Sequence, residues 1–120
     1  MIWTIFSVVY FIVILLHVYF AVLEMVLWKA RAPKLFGLTP QFAADSTMLA
    51  SNQGLYNLFL VAALLIGFFA SDANVARAFT LYGLGCVIIA GIWGGVTSSK
   101  RIILFQAVPA ALALALYLLR

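Results

Sequence analysis

Charge, cysteine and histidine are all scarce in this chain. Of its 120 residues 8% are charged, and three are acidic, one is histidine and one is cysteine, whereas 68% are hydrophobic. Soluble domains carry about a quarter charged residues, so a water-soluble core is excluded. The lone Cys86 excludes a disulfide framework and a thiolate metal cluster, and we assign it to packing. With a single histidine, no set of metal ligands is indicated.

Four apolar stretches take up most of the sequence, at residues 2–28, 54–70, 76–96 and 102–119. A helix of about 20 apolar residues crosses the hydrocarbon layer of a membrane. The pattern therefore predicts an all-α fold, in which residues 1–120 form a single domain built as an integral membrane bundle of four transmembrane helices. We expect this bundle to lie among membrane lipids and to form a homo-oligomer.

The basic residues predict an orientation. They are unevenly divided between the two sides of the predicted membrane, with Lys29, Arg31, Lys34, Lys100 and Arg101 on one side and Arg77 and Arg120 on the other. Because basic residues in short loops mark the cytoplasmic side, both termini are predicted to face outward. The cations flank spans instead of lining one face, so the net charge of +4 does not indicate a nucleic-acid partner.

The segment between the first two spans contains signals for a turn and for a new helix. Residues 29–38 include a proline and a glycine and are predicted to form a tight turn. Thr39 followed by Pro40 is typical of a helix N-cap with proline at the first helical position. From there the second helix either runs unbroken to the end of its apolar stretch or bends near Gly54, and the sequence favours neither.

The third span is rich in small residues. Cys86, Ala90 and Gly94 follow one another four residues apart, and Gly91 and Gly95 form an overlapping second stripe. Small side chains let helix backbones approach closely in lipid, where packing drives helix association. We therefore predict a tight helix contact on this span, either within the chain or between subunits.

A proline interrupts the fourth stretch. Pro109 has no N–H to bond the carbonyl of Phe105, which needs another donor within a membrane. We expect a kink that shapes packing, with Gln106 part of the same local rearrangement.

Polar side chains gather toward the predicted cytoplasmic end of the spans. His17 and Glu24 lie on nearly one face of the first span, two turns or about 10 Å apart. At about 100° per residue, an arc of roughly 140° at the start of the second span holds four more hydrogen-bonding side chains, which are Asn52, Gln53, Tyr56 and Asn57. These six residues are predicted to form a ligand-binding pocket, with His17 the deepest.

Each of these residues also has a purely structural interpretation. Near the membrane surface, Glu24 can reach headgroup water or pair with Lys29 or Lys100. His17 is explained equally by packing with a satisfied hydrogen bond. The four side chains of the second span can instead act as polar contacts between helices.

Three segments carry a resemblance to a known family. The first runs His17-Val-Tyr-Phe-Ala-Val-Leu-Glu24-Met-Val-Leu-Trp28, the second is Phe36-Gly-Leu, and the third runs Leu49-Ala-Ser-Asn52-Gln-Gly-Leu-Tyr56-Asn57. They resemble the signature of a family of small bacterial four-helix membrane proteins, known as the domain of unknown function numbered thirteen-oh-four. The resemblance covers nearly the whole chain. It implies a multi-pass protein of the bacterial cytoplasmic (inner) membrane and no particular activity.

Residues 50–61 also resemble, more distantly, the second-helix motif of the MAPEG family (membrane-associated proteins in eicosanoid and glutathione metabolism). Asn57 matches the asparagine that closes that motif, whereas Leu49 and Tyr56 stand where the family has arginine and glutamate. The family consists of four-helix trimers that bind glutathione near the cytosolic face. Glutathione is accordingly the cofactor that this resemblance implies.

Three functions follow from these observations. The first is binding of an amphiphilic ligand or lipid in a polar pocket near the cytoplasmic side, with an apolar shaft between the helices. The second is a MAPEG-like glutathione-dependent transferase, in which Tyr56 stabilises a thiolate. The third is a small transporter with Glu24 as its protonatable site, because a carboxylate within a membrane span is by default a candidate functional group.

Overall fold

The computed structural model describes residues 1–120, and these form helices without any β-strand. In chain order the elements are α1 (Ile2–Met25), α2 (Trp28–Phe36), α3 (Pro40–Asp45), α4 (Thr47–Phe69), α5 (Ala73–Thr97), a π-helix (Ile103–Ala107) and α6 (Val108–Leu119). The predicted all-α class is confirmed. Three helices, α1, α4 and α5, are long and apolar enough to cross a membrane, and the shorter apolar segment Ile103–Leu119 follows them.

The prediction of a turn over residues 29–38 is wrong, because most of this segment is helix α2. Trp28, Ala32 and Phe36 recur every four residues and therefore share one helix face. On that face the rings of Trp28 and Phe36 lie with centroids 5.7 Å apart and an interplanar angle of 35°. Ala32 is fully buried, and α2 contacts α3. This packing outweighs the backbone hydrogen bond that Pro33 removes inside the helix. Gly37 ends α2 in the left-handed conformation, at φ 65°.

Helix α3 begins where the sequence predicts, but it ends at Asp45, and a separate helix begins at Thr47. Thr39 Oγ1 accepts a hydrogen bond from the Phe42 N–H at 3.1 Å, with Pro40 at the first helical position. The helix is neither continuous nor bent near Gly54. It breaks at Ser46, whose hydroxyl donates to the Phe42 carbonyl at 2.7 Å. Hydroxyl groups that bond carbonyls one turn back compete with the helical ladder and often bend helices.

The chain forms two compact units. The long unit comprises Met1–Leu16 and Leu60–Arg120, and the short unit comprises His17–Phe59. In the long unit the largest fully buried side chains include Phe6, Tyr10, Leu64 and Leu84. The Tyr10 hydroxyl donates to the Leu64 carbonyl at 2.7 Å, so this apolar core also holds a satisfied polar group.

The tight contact predicted for the third span is present, and its partner belongs to the same chain. A Cβ atom added to Gly91 would lie 2.5 Å from the backbone nitrogen of Ala107 in the π-helix. A Cβ atom added to Gly95 would lie even closer to the side chain of Ile103. The glycines of α5 therefore provide the space that the π-helix occupies.

The rearrangement expected near Pro109 takes the form of this π-helix. Pro109 lies in the first turn of α6, directly after the π-helix, and cannot donate to the Phe105 carbonyl. The preceding Val108 N–H donates to the Ile103 carbonyl, five residues back instead of four. Short π-helical segments within helices are, like proline, a known cause of helix kinks.

Candidate functional site

The central feature of the short unit is a polar contact between α1 and α4. Asn57 Nδ2 donates a hydrogen bond to Glu24 Oε1 at 2.6 Å. Asn57 is only 6% exposed and Glu24 is half-buried. Buried polar side chains are stabilised by hydrogen-bond partners. The two side chains are therefore held together in the contact between α1 and α4.

Small residues on both helices bring this pair together. A Cβ atom added to Gly54 would lie 3.1 Å from the Ala21 carbonyl and 3.2 Å from Glu24 Cβ. Ala50 is also buried, one turn before Gly54 on the same helix. The glycine lets α4 approach α1 closely enough for the short side chain of Asn57 to reach the carboxylate.

The other predicted site residues of α4 do not join this contact. Asn52, Gln53 and Tyr56 are exposed, and the Tyr56 ring meets Phe59 edge-on at a centroid distance of 5.8 Å. Tyr56 precedes Asn57 by one residue, so it points about 100° away around the helix. Asn57 is the α4 residue that donates to Glu24. A ligand contact by the three exposed residues stays a prediction.

A comparison with protein families identifies the chain. A family model described as "Protein of unknown function (DUF1304)" matches residues 11–118, which include the Glu24–Asn57 pair. The chain belongs to DUF1304. No curated protein and no solved structure matches it. The predicted membership is thus confirmed, whereas the MAPEG resemblance has no counterpart in these comparisons.

His17, the deepest predicted site residue, is wholly buried in this DUF1304 chain. Its imidazole meets the ring of Phe20 nearly edge-on, at a centroid distance of 5.3 Å and an interplanar angle of 72°. Every buried side-chain nitrogen and oxygen atom has a hydrogen-bond partner, so burial of this histidine leaves no unsatisfied polar group. No three His, Cys, Asp or Glu side chains of residues 1–120 are grouped closely enough to hold a metal ion.

A second polar contact in the short unit was not predicted. Trp28 Nε1 donates to the Ser46 hydroxyl at 2.9 Å, which links the start of α2 to the end of α3. The regular spacing of Trp28, Ala32 and Phe36 is the signal from which this packing could have been found. The contact leaves Lys29, Arg31 and Lys34 exposed on α2.

Proposed function

We propose that this DUF1304 protein is a four-pass protein of the bacterial inner membrane that binds an amphiphile at the Glu24–Asn57 pair. The observation that carries the proposal is the 2.6 Å hydrogen bond between these side chains, one half-buried and one buried, in helices long and apolar enough to span a membrane. A carboxylate at membrane depth is costly and is a functional candidate by default.

The proposed topology is supported by charge and length. The exposed cations of α2 support a cytoplasmic position for this helix, with both termini outside. The segment Ile103–Leu119 is the proposed fourth span. Large apolar side chains are exposed along α5, among them Tyr82, Ile89 and Trp93. Contact with lipid and with further copies of the chain is proposed to cover them.

The chemistry of the pair indicates a class of headgroup. An ionised carboxylate has about four lone-pair sites and can only accept hydrogen bonds. The amide of Asn57 uses one of them. A headgroup that donates N–H or O–H bonds therefore suits Glu24 best, and a protonated amine adds attraction between opposite charges. The exposed amide of Gln53, one turn before Asn57, is a further polar group for such a ligand.

Two phospholipids test this preference, because phosphatidylethanolamine has an ammonium headgroup with three N–H donors and phosphatidylcholine has none. Native mass spectrometry of the purified full chain in mixed micelles measures which lipid is retained. One charge-assisted hydrogen bond corresponds to roughly a tenfold preference. We expect that preference for phosphatidylethanolamine in the wild type and its loss in Glu24→Gln.

The matched control is Asp45→Asn, which makes the same chemical change at an exposed carboxylate of the short unit. Asp45 accepts a hydrogen bond from Gln41 on the surface of α3 and takes no part in the Glu24–Asn57 hydrogen bond. We expect this variant to retain the wild-type preference. Equal retention of both lipids by the wild type would count against the proposal, as would an equal loss in the two variants.

A transporter is the second candidate, because the half-buried Glu24 lies within a span. Proteoliposome flux that stops in Glu24→Gln, without any headgroup preference, would favour it. The MAPEG-like transferase is the third proposal, and conjugation of a thiol by the purified protein in a Tyr56-dependent manner would favour that activity.

A further inference from the structure

The long unit contains a cavity outside the site described above. It has a volume of about 190 Å³ and is lined by residues from both ends of the chain, from the end of α4 and from the start of α5. The lining includes Trp3, Phe6, Phe68, Ala76, Thr80 and Arg120. An apolar cavity of about 150 Å³ is large enough to bind benzene. This one therefore has room for a ring or for a short stretch of acyl chain.

Aromatic rings form much of the wall. Trp3 and Phe68 stack with centroids 6.1 Å apart and an interplanar angle of 14°. Phe6 and Tyr117 lie 5.5 Å apart, centroid to centroid. Aromatic side chains of this kind supply a large apolar contact area for a ligand. The wall favours an apolar group.

The polar groups deep in the cavity are already engaged. Thr80 is 3% exposed and shares a hydrogen bond with the hydroxyl of Tyr10, which itself donates to the Leu64 carbonyl. No buried side-chain oxygen or nitrogen lacks a partner. The inner part of the cavity therefore has no unsatisfied side-chain nitrogen or oxygen that a polar ligand group would have to bind.

Arg120 places one positive charge at this cavity. Its guanidinium carbon lies 3.9 Å from the ring centroid of Tyr117 and 5.2 Å from that of Trp3. A guanidinium that rests on aromatic faces keeps its N–H donors at its edge, where they can bind a carboxylate or phosphate. None of the residues lining the cavity is acidic. The nearby Asp72 uses its Oδ1 atom to cap α5, accepting from the N–H groups of Asn74 and Val75.

We propose that this cavity binds an anionic amphiphile, with its carboxylate or phosphate on Arg120 and the adjoining apolar group between the aromatic rings. The site goes beyond the function proposed above. It lies among residues of the long unit and selects a headgroup of the opposite charge to the one that suits Glu24.

Decanoate and decanol are the probes, because they share a chain length and differ in the charge of the headgroup. Native mass spectrometry of the full chain in a non-ionic detergent gives the dissociation constant of each. One charge-assisted contact with Arg120 predicts that decanoate binds roughly tenfold more tightly than decanol. We expect Arg120→Gln to bring the two constants together, mainly by weakening decanoate binding.

Two further variants separate the cavity from general surface charge. Arg77 is an exposed arginine of α5 outside the cavity lining, so Arg77→Gln is the matched control and should keep the tenfold preference. Ala76→Phe should fill the cavity and weaken both probes. Because Arg120 is exposed, the comparison of the two arginine variants decides the proposal even if the larger substitution impairs folding.

A second binding measurement, with phosphatidylglycerol, distinguishes a lipid headgroup from a free carboxylate as the source of the anion. Retention of phosphatidylglycerol that depends on Arg120 would assign the site to a lipid headgroup, and its absence beside intact decanoate binding would assign it to a free carboxylate. Equal binding of decanoate and decanol by the wild type would overturn the proposal. So would an equal effect of the two arginine substitutions. Glu24→Gln should leave decanoate binding unchanged, so the two proposed sites can fail separately.

Discussion

Each unit contains a close helix contact at a glycine, and the two contacts differ in whether a carboxylate lies next to the glycine. In the short unit Gly54 brings α4 against α1, and the approach joins Glu24 to Asn57. In the long unit Gly91 brings α5 against the backbone of Ala107, and neither α5 nor the π-helix contains a carboxylate. Close approach of two helices is explained by packing alone. The carboxylate beside Gly54 is not, and for that reason it is the candidate for function.

The largest effect is expected at the apolar contact. In Gly91→Ala the added Cβ atom would lie 2.5 Å from the Ala107 nitrogen, a backbone atom that cannot move independently. Overpacking of this kind costs about 1–3 kcal/mol, and the rigid neighbour places the expected loss at the upper end. Unfolding of the purified protein by SDS titration in micelles measures it.

Gly85→Ala is the matched control on the same helix, because nothing lies within 4 Å of the position of its new Cβ atom. Replacing an interior helical glycine by alanine should stabilise the protein by about 0.5–1 kcal/mol. If both substitutions shifted the unfolding midpoint in the same direction by the same amount, the packing account of α5 would be wrong.

Asn57→Leu is expected to have the next largest effect. The change removes the donor to Glu24 and leaves a half-buried carboxylate without its partner, at a cost of about 1–2 kcal/mol. Asn52→Leu, on an exposed position of the same helix, should change the unfolding free energy little. A double-mutant cycle with Glu24→Leu, which removes the acceptor, should show a coupling energy of about 1 kcal/mol, and additive effects would contradict a direct interaction.

Gly54→Ala tests the same kind of close helix contact in the short unit, for comparison with Gly91→Ala in the long unit. In Gly54→Ala the nearest neighbour of the added Cβ atom is the side chain of Met25, which is flexible and partly exposed. The Ala21 carbonyl and Glu24 Cβ lie just beyond 3 Å. We expect a loss of about 1 kcal/mol in the same SDS titration, which is smaller than that of Gly91→Ala. The reverse order would show that the polar contact is the more rigid of the two.

The smallest effect is expected for Trp28→Phe. The substitution keeps an aromatic ring against Phe36 but removes the N–H that donates to Ser46, a loss of about 0.5–1 kcal/mol. Hydrogen exchange of the α2 and α3 amides should become faster. Trp93→Phe, which alters a largely exposed tryptophan of α5, should leave those amides unaffected.

The sequence predicts the glycine contact of α5 and the N-cap of α3 but not helix α2, for a physical reason. The contact of Gly91 and Gly95 and the cap at Thr39 depend on local spacing, and both were predicted. The sequence does not predict helix α2, because Pro33 disfavours a helix locally whereas the aromatic contact of Trp28 and Phe36 belongs to the packed structure. The sequence therefore predicts features that depend on residue spacing within one helix, but not a helix that depends on packing against another.

The candidate site was predicted in part for a related reason. Its members on α4 were chosen because they were polar and adjacent, but the helix face that meets α1 follows the small residues Ala50 and Gly54. That face includes Asn57 and leaves Asn52 and Tyr56 exposed. The spacing of the small residues Ala50 and Gly54 predicts which face of α4 meets α1. Asn57 is the polar residue on that face, so this spacing predicts it as the partner of Glu24.

The central claim is that the carboxylate of Glu24 selects the headgroup of an amphiphile. The most direct test is the ratio of phosphatidylethanolamine to phosphatidylcholine retained by the purified protein, compared between Glu24→Gln and Asp45→Asn. The account predicts that Glu24→Gln lowers this ratio roughly tenfold, whereas Asp45→Asn leaves it at the wild-type value. A ratio that is the same in the wild type and both variants would contradict it.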